Sequence, residues 1–145
     1  MTKELWQPPG PAERATERAP SGTPALFRIL RSFRFAARGI AYLFRTQPNF
    51  RVHALAAGLV VVFTIWLGTT PAETGVLLLA IGLVLAAEAL NTAVEAVVDL
   101  ASPSYHDLAR TAKDTAAGAV LIAAVIAALT GLLILGPRLV QRLFG

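Results

Sequence analysis

The sequence predicts an all-α membrane protein in which three transmembrane helices follow an N-terminal amphipathic helix that lies in the membrane interface. Apolar residues make up 55% of the 145 residues, and the mean hydropathy is +0.61, which is high for a water-soluble globule. Three apolar stretches each approach the roughly 20 residues that cross a hydrocarbon core. Because little sequence remains outside them, we expect a single membrane-embedded domain.

The chain begins with a stretch that differs from the rest in composition. Residues 1–23 hold several prolines and alternating charges but few large apolar side chains, so we expect a disordered tail. Arginine carries most of the net charge of +4 and crowds between Arg28 and Arg51. This basic segment is amphipathic and leads into an apolar stretch, so we expect it to meet anionic lipid headgroups and not nucleic acid.

Residues 24–46 form the predicted interfacial helix. Its apolar residues step by three and four along one face, which carries Leu26, Leu30, Phe33, Ala37, Ile40 and Phe44. Arginines cluster on an adjoining arc, and Pro24 suits the first helical turn. A helix of this kind lies among the headgroups, with arginine side chains reaching toward phosphates. The alternative is a surface helix packed on a soluble core, which the apolar stretches that follow disfavour.

The three predicted spans cover approximately residues 52–69, 74–100 and 116–135. The first is the shortest, and the third contains no charged residue. No internal repeat is visible. A tail, residues 138–145, follows the last span.

The arginines also predict the orientation of the chain. By the positive-inside rule the basic helix stays in the cytoplasm, which puts the turn around Glu73 outside. The loop of residues 101–115 then returns to the cytoplasm, and the tail ends outside. Arg138 and Arg142 in that tail oppose the rule mildly, but the other arginines outnumber them.

The second span carries a polar stripe within its apolar run. From Glu88 the polar positions advance by 3, 7 and 11 residues, and at about 100° per residue they share one helical face, which holds Glu88, Asn91, Glu95 and Asp99. Carboxylates near the centre of a membrane helix are costly, at roughly 2.5–3.5 kcal/mol each on insertion scales. We therefore expect this chain to use them for a metal, protons or a substrate.

The depth of each acid suggests a role. Asp99 is expected at the cytoplasmic surface and Glu88 about three helical turns deeper. An acid near the surface can hold Mg²⁺, which favours carboxylates combined with substrate phosphates. A deeper, desolvated acid can act as a general base. Lys113 can bind phosphate as a point charge.

Each of these residues also has a structural interpretation. Charges in the loop and at helix ends can be ordinary solvated groups, and this applies to Asp99, Asp107, Arg110, Lys113 and Asp114. Glu88 and Glu95 can instead form a buried polar network that fixes helix packing, or line an ion pathway. A lone His106 is a weak argument for a metal site. The phosphate-binding loops of soluble kinases are absent from the sequence.

The sequence resembles a known family at this polar stripe. The run from Glu88 to Asp99 reads EALNTAVEAVVD, and Tyr105-His106 and Ala112-Lys113-Asp114 follow it. This pattern is similar to that of the bacterial integral-membrane diacylglycerol kinases, a family that includes the undecaprenol kinases. The likeness covers approximately residues 27–135, and QPNFRVH at residues 47–53 looks like the undecaprenol kinases of the family.

The resemblance implies a lipid kinase domain over residues 24–137, which transfers the γ-phosphoryl group of MgATP to the hydroxyl of diacylglycerol or undecaprenol. It implies a homotrimer in the inner membrane, with the N-terminus and the active sites cytoplasmic. Glu88 would be the general base, Asn91 would support the site and Glu95 would hold Mg²⁺. The implied nucleotide contacts are Arg28, Glu95, Asp99, Ser104, Tyr105, His106, Lys113 and Asp114.

The sequence departs from the family pattern at Gln47. The resembling proteins carry a glutamate there that helps to hold a second metal ion. An amide oxygen can meet Mg²⁺ but brings no charge, so weaker binding of that ion is expected. Two rivals to the kinase remain: a non-catalytic relative, which Gln47 makes conceivable, and a small ion- or proton-conducting membrane protein.

Overall fold

The computed structural model describes residues 24–145, except for the side chains of Ala25, Leu26, Arg28 and Leu30. The expected tail of residues 1–23 lies outside this description. Four helices form the described chain and no strand occurs in it, which confirms the all-α prediction. The helices are α1 (Ala25–Thr46), α2 (Pro48–Leu67), α3 (Pro71–Ala101) and α4 (Asp107–Phe144).

Three of these helices, α2, α3 and α4, are long and apolar enough to cross a membrane. They contain 20, 31 and 38 residues, which at 1.5 Å per residue correspond to roughly 30, 46 and 57 Å. Most of their large apolar side chains are exposed. On a chain that spans a bilayer, these exposed side chains face hydrocarbon and not water.

The chain divides into two compact units after Ile40. In the first unit, α1 exposes Phe33 and Ile40, two members of the predicted apolar stripe. Phe35 lies off that stripe, and the guanidinium carbons of Arg31 and Arg38 lie 6.0 and 5.7 Å from its ring centroid. That α1 lies in the membrane interface stays a prediction.

In the second unit, α2 begins after a short break in the helix. Pro48 occupies the first turn of α2, where its missing N–H leaves no hydrogen bond unmade. The rings of Phe44 and the buried Phe50 meet edge to face across the break, with centroids 5.0 Å apart. The Arg51 guanidinium donates to the Arg45 carbonyl oxygen at 3.3 Å. The ring contact and this hydrogen bond therefore both join the end of α1 to the start of α2.

A three-residue connection joins α2 to α3. Gly68 adopts a left-handed conformation with φ of 62°, which glycine tolerates without strain, and its N–H caps the end of α2. Thr70 then caps α3: its hydroxyl accepts from the Glu73 N–H, and the Glu73 carboxylate accepts from the Thr70 N–H. This reciprocal cap fixes the start of α3.

Arg138, near the C-terminal end of α4, binds this connection. Its Nη2 and Nε donate to the two carboxylate oxygens of Glu73 at 2.6 and 3.2 Å. Its Nη1 donates to the Gly68 carbonyl oxygen at 3.0 Å. The side chains of Arg138 and Glu73 are only 27% and 31% exposed. The arginine that opposed the predicted orientation is therefore neutralised by an acid at the same end of the bundle.

The helices pack mainly through α3 and α4, which make the most extensive contact in the second unit. The buried apolar side chains of the two helices are Leu77 and Val84 of α3 and Val120 and Ala123 of α4. Because α3 and α4 run in opposite directions through a short connection, the end of α3 meets the beginning of α4.

The loop between α3 and α4 is shorter than the predicted residues 101–115. Only residues 102–106 lie outside the helices, because His106 caps α4 by accepting the Leu108 N–H at its Nδ1, 3.1 Å away. At the other end α4 continues past Pro137, so residues 138–144 of the predicted tail are helical. The polar start of α4 lacks the apolar periodicity by which a sequence marks a helix.

Replacing Arg138 tests the contact that joins α4 to the α2–α3 connection. We expect Arg138→Gln to lower the midpoint of thermal unfolding in detergent by roughly 3–6 °C, because the bidentate pair with Glu73 is lost. Arg142→Gln is the matched control, because Arg142 is exposed and its replacement removes the same charge from the same helix. Equal shifts in the two variants would contradict the role given to Arg138.

Candidate active site

The polar stripe of α3 runs from the interior of the bundle to its surface. Glu88 is 3% exposed, and Asn91 and its neighbour Thr92 are also buried. Glu95, one turn later, is half-buried, and Asp99 is exposed. The stripe thus leads from a deep carboxylate to a solvent-facing one along a single helix face, as its spacing predicts.

No hydrogen bond or ion pair from the described residues reaches the Glu88 carboxylate. Thr92 contacts only the backbone of this residue, through a hydroxyl that donates to the Glu88 carbonyl oxygen at 3.1 Å. Burying an ionisable group without a partner is unfavourable. Such a carboxylate is suited to a proton or to a polar group of a ligand.

Asn91 orients the next acid of the stripe. Its Nδ2 donates to Glu95 Oε1 at 2.9 Å, which fixes one carboxylate oxygen. Its own Oδ1 is buried and has no hydrogen-bond partner within the described chain. A buried acceptor without a donor calls for a specific explanation, such as a bound ion or water.

These oxygen atoms fit a magnesium ion in chemical type. Mg²⁺ is commonly bound through one or two carboxylates together with substrate phosphates, with waters completing its shell. Glu95 supplies one carboxylate, and the unpartnered Asn91 Oδ1 lies on the same helix face. No group of three or more His, Cys, Asp or Glu side chains suited to a metal occurs in residues 24–145, so this part of one chain offers no complete protein cage.

A cavity of about 350 Å³ opens where α3 ends and α4 begins. We call it the cytoplasmic cleft, after the side of the membrane on which the sequence analysis predicts it. The structure brings six of the predicted nucleotide contacts together around it, namely Asp99, Ser104, Tyr105, His106, Lys113 and Asp114. The sequence suggested this grouping only through the family resemblance, since the loop that closes the cleft has no periodic pattern.

Hydrogen bonds hold the lining of the cytoplasmic cleft. Lys113 Nζ donates to Asp99 Oδ1 at 2.5 Å, which connects α4 to α3. The Tyr105 hydroxyl donates to Asp107 Oδ1 at 2.9 Å, and Arg110 pairs with Asp114 at 3.4 Å. The carboxylates and cations of the cleft therefore occur as pairs.

The lining of this cleft does not include Gln47 or three predicted site residues deeper on α3, namely Glu88, Asn91 and Glu95. Gln47 is half-buried at the start of α2, and its side chain makes no capping hydrogen bond there. Its backbone N–H donates to the Leu43 carbonyl oxygen at 2.9 Å. The side chain of Arg28 lies outside the described residues, so its predicted nucleotide contact is untested.

An apolar groove of about 260 Å³ lies between α2, α3 and α4, and the sequence analysis did not predict it. Its walls are unusually small side chains, among them Ala56, Ala57, Ala80, Ala124, Ala127, Ala128 and Gly131. Val84 and Leu85 line its wall one helical turn from Glu88, and His53 supplies its titratable side chain. The many alanines in all three spans were the available signal.

Comparison with known proteins identifies the family of the chain. Residues 34–135 match the model of the prokaryotic diacylglycerol kinase family. A diacylglycerol kinase of Synechocystis sp. is 46% identical over 114 residues, which cover 78% of this chain and 65% of that protein. The undecaprenol kinase of Bacillus subtilis is 44% identical over 114 residues, which cover 79% of this chain and 93% of that protein.

A more distant relative is also a diacylglycerol kinase. The diacylglycerol kinase of Escherichia coli K12 is 33% identical over 115 residues, which cover 79% of this chain and 94% of that protein. The chain thus spans just under two thirds of the Synechocystis protein but almost the whole of the other two. The resemblance drawn from the polar stripe is confirmed, and the chain belongs to the prokaryotic diacylglycerol kinase family, a family of lipid kinases.

Proposed function

We propose that this lipid kinase transfers the γ-phosphoryl group of MgATP to the hydroxyl of a membrane lipid alcohol, either diacylglycerol or undecaprenol. One observation carries the proposal: a single face of α3 joins the buried Glu88 carboxylate to the Asn91–Glu95 pair and to the cytoplasmic cleft. Such a face gives a lipid from the bilayer and a nucleotide from the cytoplasm access to adjacent turns of one helix.

Glu88 is the general base of the proposed reaction. The lipid hydroxyl gives its proton to this carboxylate while its oxygen bonds to the γ-phosphorus, and the bond from that phosphorus to the β–γ bridging oxygen breaks to release ADP. Phosphoryl transfer depends mainly on positioning and on charge neutralisation, so the protein needs few covalent steps. The Glu88 carboxylate meets this requirement because no side chain among the described residues hydrogen-bonds or pairs with it.

Mg²⁺ neutralises phosphate charge when it is bound, and Glu95 is the residue that holds it in our proposal. Asn91 fixes one oxygen of Glu95 and leaves the other oxygen of that carboxylate available. Gln47 would meet a second ion through its amide oxygen. The nucleotide phosphates lie against Lys113, and the loop residues Ser104, Tyr105 and His106 line the rest of the nucleotide site.

We further propose a homotrimer in the bacterial inner membrane, with the cytoplasmic cleft on the cytoplasmic side. The family resemblance supplies the number three. A site completed by a second copy is consistent with the incomplete metal-binding set of the described chain. The arginines of α1 support the orientation through the positive-inside rule.

Replacing Glu88 tests the catalytic proposal. We expect Glu88→Gln to lower the rate of lipid phosphorylation by at least about 100-fold, because the amide accepts no proton. The measurement is transfer from labelled ATP in bilayers that contain diacylglycerol or undecaprenol, and the ratio of the two rates identifies the acceptor. Normal turnover in this variant would remove Glu88 from the base role, and an ion flux without transfer would favour a conductor.

A second substitution tests the metal proposal. Gln47→Glu should lower the Mg²⁺ concentration needed for half-maximal rate, because it restores a carboxylate at the second-ion position. The titration uses saturating ATP and lipid, and Gln47→Asn serves as a control that keeps an amide. An unchanged Mg²⁺ requirement in Gln47→Glu would show that Gln47 has no part in metal binding.

The orientation is testable because the chain contains no cysteine. We expect a cysteine at Ala101 to resist an impermeant thiol reagent applied outside intact cells, and a cysteine at Ala72 to react with it. Both positions are exposed and lie at opposite ends of α3. The reverse pattern of labelling would place the cytoplasmic cleft on the wrong side for ATP.

A further inference from the structure

We propose that Asp99 is a positioning residue that holds the Lys113 ammonium in the cytoplasmic cleft and does not bind the nucleotide itself. The inference rests on the proposed function, because it assigns Lys113 to the phosphates. It replaces the expectation that Asp99 contacts ATP with a role exerted through the lysine.

The contact between these residues is specific. Lys113 Nζ lies 2.5 Å from Asp99 Oδ1, and this hydrogen bond joins α3 to α4 across the mouth of the cleft. The Lys113 side chain is 37% exposed, whereas that of Asp99 is 68% exposed. The lysine stem is therefore partly covered by protein, and its charged end is directed to the acid.

The other charged groups at the start of α4 have partners of their own. Arg110 pairs with Asp114 one turn away on α4, and Asp107 accepts from Tyr105. In the described chain, Asp99 therefore depends on Lys113 for its neutralisation. Glu95 lies one turn before Asp99 on the same face, which adds a further carboxylate near the path of the phosphates.

The pair has two physical effects on a triphosphate that enters the cleft. A lysine side chain has four flexible carbon–carbon bonds, so a fixed partner restricts where its ammonium can lie. The ammonium also cancels the Asp99 charge, which would otherwise repel the phosphates. Loss of Lys113 therefore removes a cation from the phosphates and exposes an anion to them.

These two effects predict that Asp99→Asn changes KM for MgATP in opposite directions in the wild-type protein and in a Lys113→Met variant. In the wild-type background, Asp99→Asn should raise KM for MgATP roughly fivefold with little change in kcat, because the lysine is no longer held. In a Lys113→Met background, which itself should raise KM about 10- to 100-fold, the same substitution should lower KM. Without the lysine, only the repulsive effect of Asp99 remains.

The experiment measures kcat and KM for MgATP at saturating lipid for both single variants, the double variant and Asp99→Glu. Asp99→Glu keeps the carboxylate and should restore most of the wild-type KM. Asp107→Asn is the matched control, since it removes one charge from the same end of α4 without contacting Lys113. Its effect on KM should have the same sign and size in both backgrounds.

Each contrary result has one meaning. A higher KM on adding Asp99→Asn to Lys113→Met would show that Asp99 binds the nucleotide directly, and a lower KM for Asp99→Asn alone would show that the pair obstructs binding. Either result overturns the positioning role. Absence of MgATP-dependent transfer by the wild-type protein would instead overturn the proposed function, so the two failures are distinguishable.

Discussion

A helix that crosses a membrane must keep its ionisable side chains away from hydrocarbon, and this constraint governs the arrangement of the protein. Glu88 and Asn91 share one face of an otherwise apolar helix, and both are buried. That face has to be covered by protein, and the most extensive helix contact of the second unit is the one between α3 and α4. The same contact brings the start of α4 next to Asp99, where the cytoplasmic cleft opens.

Charged contacts hold the α3–α4 pair at both ends, and the buried apolar residues of the two helices lie between these contacts. Arg138 binds Glu73 at one end, and Lys113 binds Asp99 at the other. The two contacts differ in exposure: the first pair is mostly covered, and Asp99 in the second is largely open to solvent. The covered pair is suited to stability, because few water molecules compete for it, whereas the open pair can exchange partners when a ligand arrives.

The sequence predicts those features that a short-range pattern encodes. The number of helices, the three apolar spans and the common face of Glu88 and Asp99 all follow from hydropathy and helical period. The extent of α4 does not, since its start is polar and is set by the His106 cap, and its last turns continue past Pro137. The Arg138–Glu73 pair joins positions 65 residues apart, and such contacts leave no periodic signal.

In the candidate site, too, local spacing along one helix is predictable from the sequence, and contacts between helices are not. The spacing along α3 predicts the order of the acids and their relative depth, but it contains no information about which residues of α4 face them. The family resemblance supplied Lys113 and the loop residues, and the structure adds the pairing of Lys113 with Asp99. Neither source predicted the apolar groove, because a groove depends on how three separate helices are placed in space.

The three spans differ in length, and the rigid helices fix the distances between side chains along the membrane normal. A helix as short as α2 matches one hydrocarbon core of about 30 Å, but α3 and α4 extend well beyond it. Along α3, Glu88 and Asp99 are separated by roughly 16 Å, a distance that the rigid helix does not adjust. In a thinner or thicker bilayer the level of the lipid headgroups shifts relative to these two side chains. Bilayer thickness therefore sets how well a lipid hydroxyl aligns with Glu88, the proposed general base.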